Sequence, residues 1–138
     1  MNQKRYSRQI LFKHIGVEGQ EQIGKCHVLI IGMGALGTHL AEGLVRAGVG
    51  QLTIVDRDYI EFSNLQRQTL FTESDACEAL PKVIAAQNAL QRIRSDINLH
   101  AFIEHVNYHF LENHAKEVDL IIDAVSYTHL TLPTTPYV

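Results

Sequence analysis

Residues 28–37, V-L-I-I-G-M-G-A-L-G, decide the fold. The continuous apolar run at 28–31 has the character of a strand buried on both faces of a parallel sheet. Glycines at 32, 34 and 37 follow at once, in the G-x-G-x-x-G spacing that carries a strand tightly into a helix. Gly32 permits the turn, Gly34 lets a phosphate approach the backbone, and Gly37 allows helix and strand to pack closely. Downstream, Leu36, Leu40, Leu44 and Ala47 recur at helical spacing, and Gly48 and Gly50 stop that helix. Its free N–H groups and positive end face an anion. The motif alone suits NAD, FAD or ATP equally.

Outward from this unit the pattern repeats. A second buried strand at 52–55 ends on Asp56, where a carboxylate can take a ribose hydroxyl pair or serve as a turn cap. Residues 56–79 form a polar, irregular connection, long enough in a compact domain to mark function. Pro81 then opens a second amphipathic helix with Val83, Gln87, Leu90 and Ile93 on one face. A strand is expected at 99–103, a short helix at 108–116, and a further buried strand at 118–122 leading to Asp123. An amphipathic segment, R-Y-S-R-Q through Gly24, precedes the first strand, with Tyr6 and Phe12 expected to pack it onto the domain. Strands alternating with helices predict an α/β class, a Rossmann-like doubly wound and mainly parallel sheet.

Composition narrows the function. At 138 residues the chain is one domain at most, and a hydrophobic content of 46% is ordinary for a soluble protein. A net charge of −3, with the lysines and arginines dispersed, gives no footprint for nucleic acid. No run approaches the ~20 apolar residues of a membrane span, and the polar start is unlike a secretion signal. The two cysteines, Cys26 and Cys77, build neither a disulfide framework nor a metal knuckle, as expected of reduced thiols in the cytoplasm. His105, His109 and His114 lack the H-E-x-x-H pattern and are expected to be structural or solvated.

The residues downstream of Asp56 point to the chemistry. Asn64, Arg67 and Gln68, then Lys82 at the start of the next helix, set two cations and two amides beyond the ribose acid. The second half of a dinucleotide wants an apolar slot for nicotinamide. A triphosphate wants cations, because charge building on its oxygens must be offset in a low-dielectric site. An NAD-dependent Rossmann oxidoreductase stays as the alternative.

Six tracts, in order, then carry a resemblance: R-Y-S-R-Q (5–9), G-M-G-A-L-G (32–37), A-G-V-G (47–50), V-D-R-D-Y-I (55–60), S-N-L-Q-R-Q (63–68) and L-P-K (80–82). From about residue 5 to 124 the chain resembles the ThiF/MoeB/HesA family of sulfur-carrier-protein adenylyltransferases, relatives of the ubiquitin-activating enzymes. The R-A-G-V-G and D-R-D-Y wording is nearest the thiamine-biosynthesis branch. The resemblance implies ATP with Mg²⁺, a ubiquitin-like sulfur carrier as partner, a homodimer, and a place in thiamine or molybdenum cofactor biosynthesis. It implies a nucleotide loop of Gly32, Gly34, Ala35 and Gly37, a ribose contact at Asp56, and phosphate contacts from Asn64, Arg67, Gln68 and Lys82. Arg8 would reach the partner subunit's ATP site. Ala35 replaces a common glycine, a change tolerated where the backbone is helical. The implied reaction is adenylylation of the carrier's C-terminal glycine carboxylate with release of pyrophosphate.

The pattern breaks after Ala124. Residues 125–138, V-S-Y-T-H-L-T-L-P-T-T-P-Y-V, carry no charge and two of the three prolines, and Ser126 stands where the family has an aspartate that helps hold Mg-ATP. The start of this tail is what a transposase sequencing adapter encodes in frame, so 125–138 is expected to be non-native. Residues 1–124 are then expected to be the N-terminal part of an adenylyltransferase domain, truncated after about the fourth strand and inactive alone. The rest of the sheet, the zinc-binding cysteine pairs of many members and the loop with a reactive cysteine have no counterpart here.

Overall fold

The first strand, β1 (His27–Ile31), is buried along its whole length, as its unbroken apolar run requires. In the computed structural model, which describes residues 2–125, it lies inside a four-stranded sheet with β2 (Gln51–Val55), β3 (Asn98–Phe102) and β4 (Leu120–Asp123). The order is β3-β2-β1-β4 and every pairing is parallel. The register sets Ile30 beside Ile54 and Ile122, and Ile31 beside Val55 and Asp123. The chain therefore moves from β1 outward through β2 to β3, then crosses back to β4 on the other side of β1. That reversal is the switch point at which doubly wound sheets bind ligands, beyond the strand C-termini.

Alternating side chains feed two cores. Val28, Ile30, Leu52 and Ile54 pack under the helices α3 (Ala35–Ala47) and α5 (Lys82–Ile93), through Ala41, Val45, Val83, Ala86 and Leu90. Leu29, Ile31 and Val55 face the opposite way, where Phe110 of a shorter helix covers them with Val106. Each fully buried Leu or Ile contributes about 1.5–3 kcal/mol, so these interleaved faces carry most of the stability. The amphipathic N-terminal segment forms two helices, α1 (Ser7–Ile10) and α2 (Gly16–Lys25). Tyr6 is buried as expected, but Phe12 is 55% exposed and packs edge-on against His14 instead of the domain.

Within the irregular connection lie a 3₁₀ turn (Phe62–Asn64) and a short helix, α4 (Glu73–Cys77), started by reciprocal Thr72 and Asp75 side-chain bonds. The helix after β3, α6 (Tyr108–His114), passes into a 3₁₀ turn (Ala115–Glu117). β4 starts at Leu120 rather than 118, just after Asp119, whose side chain accepts the His27 N–H at 2.8 Å. At the sheet edge it leaves Leu120 and Ile121 exposed, so it is not the buried strand expected. The strand expected at 99–103 is shifted by one residue. Most of the tail, Ser126 included, lies outside the described residues. Among the described residues no helix is long and apolar enough to cross a membrane.

Candidate functional site

The glycine loop follows β1 and is shaped by contacts that only glycine allows. Gly32 has φ +98°, and a Cβ there would press within 3.2 Å of the Ala124 carbonyl. A Cβ on Gly37 would overlap Gly32 O, which is the close helix–strand approach the motif predicts. Gly34 caps α3, and its carbonyl accepts from Thr38 N at 3.0 Å and Thr38 Oγ1 at 2.7 Å. Ala35 is the first residue of that helix, so its methyl group costs nothing in backbone conformation. The N-terminus of α3 thus opens toward the end of the sheet.

Asp56 ties this loop to the next. Its Oδ2 accepts the Met33 N–H at 2.7 Å and its Oδ1 accepts the Asp58 N–H at 2.8 Å. The carboxylate is therefore a turn cap and a cavity-lining group together, because two acceptor oxygens offer about four lone-pair sites. The loop is fastened further by Lys82 N donating to Asp58 O at 2.9 Å, Ile60 N donating to Leu80 O at 2.9 Å, and a bridge between Tyr59 and Pro81. This brings the start of α5 beside the end of β2.

A cavity of about 590 Å³ opens at the switch point. Gly32, Gly34, Ala35, Asp56, Asn64, Arg67, Gln68 and Lys82 all line it. Gly37 does not; it supports the loop from behind. Asn64 and Gln68 are buried, and the Asn64 Oδ1 accepts the Glu61 N–H at 2.8 Å, which fixes its amide. Arg67 is exposed, with Nη1 donating to Ser63 O at 3.2 Å. Lys82 is 7% exposed, and its Nζ stands 3.9 Å from Asp58 Oδ2. A buried ammonium needs a counter-charge, and a loose pair at that distance leaves it able to take another anion.

Arg8 stands apart. It is exposed on α1, whose neighbours Tyr6 and Gln9 reach Gly48 and Ala47 at the opposite end of the sheet, and it does not line the cavity. Other wall residues gave no local signal in the sequence. Arg57 and Asp58 follow Asp56 directly, whereas Glu104, His105 and Val106 arrive from beyond β3 through the parallel register. His114 stacks on Phe110 and Phe102, with ring centres 4.3 and 4.7 Å away, and His109 pairs with Asn113. Cys26 and Cys77 are free thiols.

A glycine turn at the switch point, a helix N-terminus above it and an acid at the end of β2 define a Rossmann-like α/β domain. More narrowly, the chain matches the ThiF family pattern over residues 6–129 and belongs to that family. It is 47% identical over 120 residues to the sulfur carrier protein ThiS adenylyltransferase of Bacillus subtilis, covering 87% of this chain and 36% of that protein. It is also 47% identical, over 95 residues, to the molybdopterin-synthase adenylyltransferase of Salmonella typhimurium, covering 69% of this chain and 37% of that one. The longer match supports the thiamine branch. Among solved structures, Escherichia coli MccB with ATP superposes with a TM-score of 0.78 at 30% identity, over 93% of this chain and 39% of that one. The chain thus spans little more than a third of the length of these relatives.

Proposed function

We propose that this chain is the nucleotide-holding part of an ATP-dependent adenylyltransferase that activates a ubiquitin-like sulfur carrier protein, for thiamine or molybdenum cofactor synthesis. The observation that carries this reading is the convergence of Asn64, Arg67, Gln68 and Lys82 on one cavity with the glycine loop and Asp56. The names of the relatives and the ATP complex of MccB support it. The family membership favours it over a nicotinamide-dependent oxidoreductase.

In this reading the ribose hydroxyls take the free lone pairs of Asp56, and the phosphates lie over Gly34 and Ala35 at the N-terminus of α3. One carboxylate oxygen of the carrier's terminal glycine attacks the α-phosphorus. The new P–O bond forms as the bond to the bridging α,β-oxygen breaks, and pyrophosphate carries that electron pair away. No protein nucleophile is consumed. Asn64 and Gln68 orient the phosphates, while Arg67 and Lys82 offset charge on the leaving group, Lys82 exchanging Asp58 for a phosphate oxygen. Mg²⁺ on the nucleotide would supply further charge neutralisation. Arg8 would act on the pocket of a second copy in a homodimer, and a cytoplasmic setting would suit reduced Cys26 and Cys77.

Two measurements test the reading. A full-length version should exchange labelled pyrophosphate into ATP only when its carrier is present; exchange without carrier, or none with it, overturns the assignment. For this chain, ATP should raise the unfolding midpoint and NAD should not. The reverse result would favour the oxidoreductase.

A further inference from the structure

α1 is a single turn of four residues, none of them fully buried, and is too short to hold its shape without outside support. What fixes it is polar. Gln9 Nε2 spends both hydrogens, one on Gln20 Oε1 at 2.6 Å and one on Ala47 O at 2.9 Å. Gln20, 1% exposed, donates from Nε2 to the same Ala47 O at 3.0 Å, so both lone pairs of that carbonyl are taken. Gly48 keeps the space open: a Cβ there would stand 2.6 Å from Gln20 Nε2 and 2.9 Å from the Tyr6 ring. Tyr6 and Gln9, three residues apart, thus fasten one side of α1 to the C-terminal end of α3. Arg8 and Leu11, also three apart, are left on the other side, both exposed.

Two amides must give up water to meet in this way, and their mutual bonds offset that loss in one arrangement only. The pair therefore fixes the direction in which α1 presents its outward face. We infer that Gln9 and Gln20 are positioning residues for Arg8. They hold α1 so that its guanidinium is offered, already oriented, to the phosphates in the pocket of a second copy. This inference rests on the reading that Arg8 acts on a second copy, and it adds to that reading the residues that aim the charge. A cation on a pinned turn gives up less freedom on docking than one on a loose arm. Small displacements also matter, because a charge about 1 Å out of place can forfeit much of its effect. Arg8 would touch the nucleotide, whereas Gln9 and Gln20 act only through it.

Complementation between copies tests the assignment. Chains carrying Arg8→Ala keep the pocket but donate no charge, and chains carrying Lys82→Met donate Arg8 but have a weakened pocket. Mixed, they should show one ATP site per pair, about tenfold tighter than either variant alone. Adding Gln20→Leu to the Lys82→Met chain, which donates Arg8, should remove that gain. Adding it to the Arg8→Ala chain, which has no arginine to aim, should leave the gain intact. A merely structural role would cost the same in either chain. A gain that survives Gln20→Leu on the donor, or that is lost equally from both, overturns the inference and leaves the Arg8 reading standing. No gain on mixing sinks that reading and the inference together, and a parent chain that binds no ATP sinks the nucleotide reading with them. Gln9→Leu, at a half-buried site, should give the same asymmetry. If neither variant folds, the pair is structural and the inference falls.

Discussion

The two ends of α3 are built on opposite principles. At its N-terminus the helix opens into a cavity where Lys82 has a loose partner and Gln68 Oε1 has none among the described residues. At its C-terminus the carbonyls of residues 45, 47 and 49 are all claimed by side chains. Arg94, 4% exposed, donates to Val45 O at 2.8 Å and also to Val49 O. Gln9 and the buried Gln20 both donate to Ala47 O, at 2.9 and 3.0 Å, while Gln9 donates to Gln20 Oε1 at 2.6 Å. Gly48, at φ +103°, closes the helix beneath the Tyr6 ring. A buried cation beside a helix C-terminus is favourable for charge as well as hydrogen bonding. The contrast separates polar groups that bond within the fold from those that the proposed nucleotide would meet.

The sharpest challenge to that division is Gly37→Ala. Its new Cβ would overlap Gly32 O, so it should cost about 4 kcal/mol or more and abolish ATP binding, read by urea unfolding and a binding titration. At the closed end, Arg94→Met should cost about 3 kcal/mol, since buried carbonyls lose a charged donor. ATP affinity per folded molecule should stay unchanged, and a fall in it would break the comparison. At the open end, Lys82→Met should leave the urea midpoint nearly unchanged and weaken ATP binding by about 2 kcal/mol, roughly 30-fold, in a calorimetric titration. The smallest effect belongs to neither end. Ala79, at φ +50°, follows α4 in a conformation that disfavours a side chain. Ala79→Gly should raise stability by about 0.5–1 kcal/mol in the same urea measurement, the relief of strain exceeding the added freedom of the unfolded chain.

Much of the open end was legible in the sequence because its chemistry is local. The apolar run at 28–31, the spaced glycines and Asp56 at a strand end are each set by neighbours in the chain. So is Lys82, placed by the proline before its helix. The closed end was not legible. Arg94 has the pattern of a solvated arginine, and its partners are carbonyls of residues 45 and 49, which no side-chain periodicity reveals. His27 is similar: it is buried at the start of β1 because its ring meets Thr53 Oγ1 at 2.7 Å and Glu117 O at 3.0 Å, both distant in sequence. The cavity wall at Glu104–Val106 was missed for the same reason, since only the sheet order brings it to the glycine loop. α4 was missed because it is short and polar, held by its cap rather than by an apolar stripe.

The packing of Gly32 on the Ala124 backbone has a consequence for how the domain assembles. The loop is written in six consecutive residues, 32–37, but one of its walls is written roughly 90 residues later, and closing so long a span carries an entropic cost before any contact repays it. During synthesis, β1 and α3 can form soon after they emerge, whereas the pairing of β1 with β4 must wait for the end of the described chain. In the nucleotide reading, the ligand therefore meets both walls of this loop only after the crossover from β3 to β4 has been made.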